Sequence, residues 1–439
     1  MHRQSPTTIR LTDHQSHALD ALLAFLDGQP GAFVLTGSAG TGKTTLLKAL
    51  CEELEDTERR FQLLAPTGRA ARVLQRRTGF SARTAHSHLY TPEPLEKRPG
   101  VRLIRKSELG EETDVIVVDE ASMVAAAVAA DNTFVVANAL LDDLFDEARR
   151  HAAHLVFVGD PCQLPPVGEV SSRALDPAFL RDRYGCRTDS AHLHEVLRQS
   201  AGSDVLEAAT ALRDRMEGDE FAEFALPRMS TRESIAAVAD AVTEGDFSRS
   251  VLLAYTNRSV FRMNAAVRRR LGRGSGLEPG DLVVTERDGW ADGRLVPRAE
   301  LFVVDFVEPR PEFAGLRFAQ VTLAPVASDL PPVEGLALLD TLDDERGAIT
   351  PEQEHALWAR AIDDNATFKG SKRPSDDPYV GALRLRYGYA LTVHKAQGGE
   401  WSDVYFDPFV PRVVDPDQRL RWFYTAITRA SESCRVIAQ

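Results

Sequence analysis

The chain has 439 residues, 43% hydrophobic and 27% charged, with a formal net charge of −13 at pH 7; this is the balance of a soluble globular protein long enough for two to four domains, and no apolar run approaches membrane-spanning length. Four scattered cysteines (Cys51, Cys162, Cys186, Cys434) form no C-x-x-C pair, which argues against a disulfide framework or a zinc site and suits a reducing cytoplasm, and the first residues lack the apolar core expected of a signal peptide. The acidic balance counts against nucleic acid as a partner unless a local basic groove does the binding.

Apolar periodicity predicts a first helix over residues 12–26, closed by Gly28. Thr12-Asp13-His14-Gln15 has capping-box spacing, with Gln15 reaching back to the N-cap. An amide there can instead read an adenine edge through paired donor and acceptor groups, and spacing leaves both readings open. Ala32-Phe33-Val34-Leu35 reads as a buried strand. It runs into Gly37-Ser38-Ala39-Gly40-Thr41-Gly42-Lys43-Thr44, the pattern of a phosphate-binding loop, and a helix follows over 43–54. The chemistry needs that order. Glycines let the backbone turn its N–H groups inward, and a helix N-terminus adds positive charge where phosphates sit. Lys43 would neutralise the β- and γ-phosphates of ATP and the Thr44 hydroxyl would hold Mg²⁺, with Thr45 completing the site.

A second strand over 61–65 ends in Pro66-Thr67-Gly68-Arg69 and leads to a basic amphipathic helix over 69–77. Thr84-Ala85-His86-Ser87 lies beyond. Residues 88–112, rich in Pro and charge, read as a projecting excursion of short strands. Val115-Ile116-Val117-Val118 is a third buried strand ending in Asp119-Glu120. Such an acidic pair is the second half of a phosphate-loop site, Asp119 for Mg²⁺ through water and Glu120 to orient and deprotonate the attacking water. An Ala-rich stretch and a helix over 133–150 precede the strand His154-Leu155-Val156-Phe157-Val158. That strand runs into Gly159-Asp160-Pro161-Cys162-Gln163-Leu164-Pro165-Pro166, where Gln163 could sense a γ-phosphate.

Arg198 falls on the next helical stretch. Val251-Leu252-Leu253-Ala254-Tyr255 is another buried strand, ending in Thr256-Asn257-Arg258, with a helix over 260–271. Composition shifts at Gly272, and the period becomes two over 281–342, which predicts a small β-barrel. Helix–strand sequence resumes later, so the barrel is an insertion, left through a mixed acidic segment at 343–378. Residues 384–393 are strand-like and precede His394-Lys395-Ala396-Gln397-Gly398-Gly399-Glu400. After one more strand, a helix over 420–430 carries Thr428-Arg429, and a buried arginine there requires an anion. The motifs at Gly37, Pro66, Asp119, Gly159, Thr256 and His394 each follow an apolar strand, where open parallel sheets bind ligands. An α/β chain with two such sheets face to face would hold nucleotide between them.

In these motifs and their order the chain resembles the superfamily 1 helicases, B subgroup, the RecD and Dda-like DNA helicases, over nearly all of residues 11–429. The resemblance implies two RecA-like parallel-sheet motor domains, residues 1–190 and 191–275 with 376–439, an inserted SH3-like β-barrel domain over 276–375, and a β-hairpin wedge over 88–112 with Val101 and Leu103 as its apolar tip. It makes Gln15 the adenine reader and assigns Pro66, Thr67, Arg69, Thr84, His86, Asn257, Thr392, His394 and Lys395 to the DNA strand. Gln163 then couples strand to γ-phosphate, Arg198 and Arg429 are the second domain's catalytic arginines, and Gln397, Gly398 and Glu400 join the nucleotide site. The implied function is ATP- and Mg²⁺-dependent unwinding, 5′→3′ on single-stranded DNA and at single-strand/duplex junctions, by a monomer with no membrane partner. A motor on RNA, a protein-displacing motor and a nucleotide-gated binding module are the rivals. Two departures from longer relatives are expected, no extra N-terminal domain and no nuclease signature. The Ala-rich 124–132 receives no role.

Overall fold

The computed structural model describes residues 10–95, 101–106, 112–128, 134–195, 204–218, 226–326 and 331–438. Helix α1 (Asp13–Leu26) packs its apolar side, Leu19, Leu22 and Phe25, against the first sheet. Strand β1 (Gly31–Gly37) leads through the loop into α2 (Lys43–Asp56), and β2 (Phe61–Ala65) into α3 (Gly68–Thr78). β3 (Ala82–Thr84), β4 (Tyr90–Pro94), β5 (Val101–Arg105), β6 (Val115–Val118), β7 (Phe134–Val136), α4 (Leu140–His151), β8 (His154–Gly159) and β9 (Arg187–Leu193) follow. Six of these strands make one all-parallel sheet in the order β3-β2-β6-β8-β1-β9. Its central strands β1, β6 and β8 are buried almost throughout, as their unbroken apolar runs require when both faces are covered.

The excursion is a hairpin, β4 against β5, and β7 adds to it in parallel. Thus the helix expected over 133–150 is a short strand followed by a helix that begins at Leu140. Ala126 and Ala127 in the Ala-rich stretch donate their N–H groups to Glu169 at 2.7 and 3.1 Å. Leu103 is not a projecting tip. It is half-buried and packs on the core that includes Ile116 and Phe157. Val101 pairs with Pro94 on the hairpin, and its side chain lies outside the described residues.

The second unit begins with α5 (Asp204–Glu217) and β10 (Arg228–Ser230), then β11 (Ser250–Ala254) and α6 (Asn257–Arg270). The chain now leaves for the barrel: β12 (Leu282–Thr285), a small hairpin of β13 (Gly289–Ala291) and β14 (Arg294–Val296), β15 (Leu301–Phe313), β16 (Leu316–Pro325), β17 (Val333–Leu338) and, after two helices, β18 (Leu383–Tyr387). β12, β15, β16, β17 and β18 close on themselves. β19 (Ala390–Thr392), β20 (Trp401–Phe406), α7 (Pro416–Ile427) and β21 (Ala430–Ala438) return to the second sheet, ordered β10-β21-β20-β11-β19 and again parallel. The single strand-like run at 384–393 is therefore split. Its first part closes the barrel beyond residue 375, where the insertion was expected to end, and its second part joins the second sheet.

A buried polar knot roots the barrel in the second unit. Asp281, fully buried, accepts from Arg268 at 3.1 Å, Arg273 at 2.7 Å and the Tyr389 hydroxyl at 2.7 Å. A buried carboxylate with two guanidinium donors and a hydroxyl donor is satisfied, and losing either cation would leave the other to carry the pair. No helix among the described residues is long and apolar enough to cross a membrane.

Candidate functional site

The phosphate loop is built by its glycines. Gly40 and Gly42 adopt φ of 85° and 78°, values open to glycine at little cost, and Gly42 caps α2. Lys43 Nζ donates to the carbonyls of Gly37 at 2.6 Å and Ser38 at 2.9 Å, folding back over the loop. Thr41 Oγ1 donates to the Ser38 carbonyl at 2.9 Å. Ser38 and Thr41 are buried, Ala39, Gly40 and Thr44 are half-buried, and Thr45 is exposed. Gln15 does two things at once. It completes the capping box with Thr12, and its Nε2 donates to the Thr41 carbonyl at 3.1 Å. The structure shows the capping reading of Gln15, with an amide that also reaches the loop.

Asp119 and Glu120 follow β6 beside the loop. Burial first, and then the Glu120 charge, push the Asp119 carboxyl up to about 7, while Lys43 and Arg77 oppose that rise. Two acids this close favour a bound cation, so the donor set fits Mg²⁺. Glu120 is held at φ 50°, an uncommon conformation for a residue with a Cβ.

Asp160, Pro161 and Leu164 meet the second unit directly. The Tyr424 hydroxyl donates to Asp160 Oδ2 at 2.7 Å and accepts from the Ala39 N–H of the phosphate loop at 3.3 Å. Burial and Asp160 raise the Tyr424 phenol well above its ordinary range, so it stays a donor. The Leu164 N–H donates to Thr425 Oγ1 at 2.9 Å, Gln397 Nε2 to the Leu164 carbonyl at 3.0 Å, and Arg421 to the Pro161 carbonyl. Gln163 Oε1 is buried with no hydrogen-bond partner among the described residues, an acceptor fit for a water or substrate atom. Arg429 is also buried, but against carbonyls: those of Thr425 at 3.1 Å and Gly399 at 3.2 Å. Arg198 lies outside the described residues.

On the other side of the same interface runs a cavity of about 1280 Å³ between the two sheets and the barrel. Pro66, Thr67, Thr84, His86, Asn257, Thr392, His394, Lys395 and Gln397 line it, with the aromatic faces of Tyr255 and Trp290. Thr67, Thr84, Thr256 and Thr392 share one local device, a hydroxyl that caps the helix following a strand. Burial lowers both channel histidines, His86 to about 4 and His394 in the same direction. Lys395 is ion-paired to Glu286 of the barrel, and Asn257 accepts from Arg386 at 3.0 Å.

Arg69, expected on the DNA strand, is not among the channel residues. It stacks on Trp401 at 4.1 Å, and burial followed by Arg429, Arg72 and Arg76 lowers it to about 9. Gly398 at φ 74° abuts Ala70, and Glu400 pairs with Arg77 at 3.1 Å, so both bridge to α3. Sequence reasoning missed Tyr424, Thr425 and Glu286 as site residues. Tyr424 and Thr425 lie one helical turn before Arg429, a spacing that could have raised them; Glu286 carries no local signal.

A family model described as an AAA domain matches residues 10–240, and one described as a UvrD-like helicase C-terminal domain matches residues 387–437. The chain is 31% identical over 208 residues to the ATP-dependent RecD2 DNA helicase of Deinococcus radiodurans, which covers 46% of this chain and 24% of that protein. It is 28% identical over 448 residues to the RecBCD enzyme subunit RecD of Mycobacterium tuberculosis, covering 97% of this chain and 69% of that one. The chain thus spans only about a quarter of the first of these relatives. In fold it is similar to the Pif1 helicase from Bacteroides solved with ADP-AlF3 and single-stranded DNA, with TM-score 0.53, 16% identity, and 98% of this chain and 92% of that one covered.

Proposed function

The chain belongs to the B subgroup of the superfamily 1 helicases through its AAA domain, and from that premise we propose that it is an ATP-hydrolysing DNA helicase moving 5′→3′ on single-stranded DNA. One observation carries the reading. The segment 159–168 is tied to the phosphate loop by Asp160 through the Tyr424 hydroxyl, and lines the channel with Leu164, Pro165 and Pro166. A change at the phosphates is felt at the strand through one short piece of backbone.

In this reading Gly37, Ser38, Ala39, Gly40, Thr41, Gly42 and Lys43 cradle the phosphates of ATP, and Gln15 sets the base side of the loop. Thr44 and, through water, Asp119 would hold Mg²⁺, which supplies charge neutralisation at the β- and γ-phosphates. Glu120 takes the proton of the attacking water, and Gln163 Oε1 accepts that water's second hydrogen. Arg429, with Arg198, brings positive charge to the γ-phosphate when the cleft closes. The cross-cleft bonds of Tyr424, Thr425, Arg421 and Gln397 are worth about 1 kcal/mol each. Together they match the few kcal/mol that separate open and closed states. Thr67, Thr84 and Lys395 contact the DNA backbone, and Tyr255 and Trp290 offer stacking faces. Arg83 and Arg298 line the channel without a carboxylate partner among the described residues, a local basic surface within an acidic protein. The five-stranded closed barrel is the family's SH3-like insertion, and the β4–β5 hairpin splits the duplex at the junction. A monomer suffices for this cycle.

The test is ATP hydrolysis with and without single-stranded DNA, and unwinding of DNA and RNA duplexes with either a 5′ or a 3′ tail. Stimulated hydrolysis and unwinding of the 5′-tailed DNA duplex are expected. Equal action on RNA supports the rival RNA motor, and hydrolysis without unwinding supports the protein-displacing one. Binding without hydrolysis supports the nucleotide-gated module. Replacing residues 93–107 by a short Gly-Ser turn should abolish unwinding and spare hydrolysis, and unwinding at the parent rate would remove the hairpin from the wedge role.

A further inference from the structure

The second unit reaches the phosphate loop with a side chain that belongs to none of the motifs above. Arg213, on α5, donates from its guanidinium to Ser38 Oγ at 3.2 Å. Its other described bond is to its chain neighbour Asp214, at 3.2 Å. A guanidinium carries five N–H donors in a planar fork, so donors remain for a further acceptor. The ring of His192, bonded to Thr36 Oγ1 at 2.7 Å, is lowered by burial first and then by neighbours that include Arg213 and Lys43. Arg213 and Lys43 therefore bring positive charge to the same small region.

We propose that Arg213 contacts the terminal phosphate of a nucleoside triphosphate held in the loop, as a further phosphate-binding cation delivered by the second unit. The proposal rests on the nucleotide site argued above. The loop has two ends. Gln15 holds the Thr41 and Gly42 carbonyls at the end that turns into α2, on the base side. Arg213 meets Ser38 at the opposite end, next to Ala39, whose N–H is taken by Tyr424. The second unit approaches the loop on this rim, where the phosphate furthest from the base falls. α5 packs against α7, so Arg213 travels with Tyr424 and Arg429 when the cleft moves. A diphosphate lacks the group that Arg213 reaches, so the residue discriminates ATP from ADP.

The experiment compares binding of a fluorescent non-hydrolysable ATP analogue and of the matching ADP to the parent chain, Arg213→Ala and Arg213→Lys. Arg213→Ala should weaken the triphosphate about tenfold and the diphosphate by less than about twofold, the loss expected for one charge-assisted contact. Arg213→Lys should recover part of the loss. Preserved ADP binding also reports that the variant is folded. Equal weakening of both nucleotides, or triphosphate binding within about twofold of the parent, overturns the proposal. A parent chain that binds neither nucleotide overturns the nucleotide site itself and this proposal with it, a result distinct from a selective failure of Arg213.

Discussion

Lys43 of the phosphate loop and Arg429 just past the end of α7 rest on backbone carbonyls, whereas in the channel Lys395 and Arg72 rest on carboxylates of the barrel, Glu286 and Glu300. The difference is one of replaceability. A carbonyl is a dipole, and a phosphate oxygen arriving beside it gives a stronger, charge-assisted bond. Binding of nucleotide phosphate in the cleft is then strongly favoured. On the proposed function, a DNA phosphate that met Lys395 or Arg72 would have to displace an anion that already serves the cation. The net gain per contact is small, which suits a track that has to be released at every step. On the same proposal the barrel is more than an insertion, because its acids would moderate the grip.

Four substitutions and a change of pH test this contrast, in falling order of effect. Glu120→Gln should keep ATP binding and lose about 10²–10⁴ in turnover, whereas Lys43→Ala should lose both; normal kcat in Glu120→Gln removes it from the base role. Arg429→Ala should bind ATP nearly as the parent does and lose on the order of 10²-fold in kcat at saturating single-stranded DNA, and a value within about twofold would show that its carbonyl partners are its permanent ones. Glu286→Gln frees Lys395 and should tighten single-stranded DNA several-fold while steepening log K against log salt by about 0.7, the slope of one more phosphate neutralised. An unchanged or shallower slope would mean that Lys395 never meets the strand. The smallest effect concerns pH. Burial lowers His86 to about 4 and His394 in the same direction, so His86 stays neutral between pH 7.5 and 6, and DNA affinity should move by less than about twofold over that range. A steep rise on acidification would place a protonating histidine against the phosphates.

Some of this was legible in the chain because it is local. The loop from Gly37 to Thr44 needs two positive φ values and a helix start, and all three lie within eight residues. The Thr12–Gln15 capping box and the Asp119-Glu120 strand end are equally short-range. Arg69 was misplaced for a related reason. A basic residue after a strand-binding motif looks like a phosphate contact, but the turn of α3 carries its side chain to Trp401 instead. β7 was hidden because three residues are too few for a strand pattern, and its pairing with β5 is what defines it.

By itself the sequence determined the chemistry of the phosphate loop, the strand-then-motif order and the change of period that announces a barrel, since each is written in neighbours along the chain. Only the tertiary structure decided the partners. Alternating strands at 383–387 and 390–392 look alike in sequence, yet one closes the barrel and the other extends the second sheet, because register is chosen by the surfaces offered to them. Lys395 with Glu286, 109 residues apart, and Arg213 with Ser38, 175 residues apart, follow the same rule. Whether a cation is spent on an acid or kept for a phosphate depends on what folding brings within about 3 Å of it, and no local pattern encodes that.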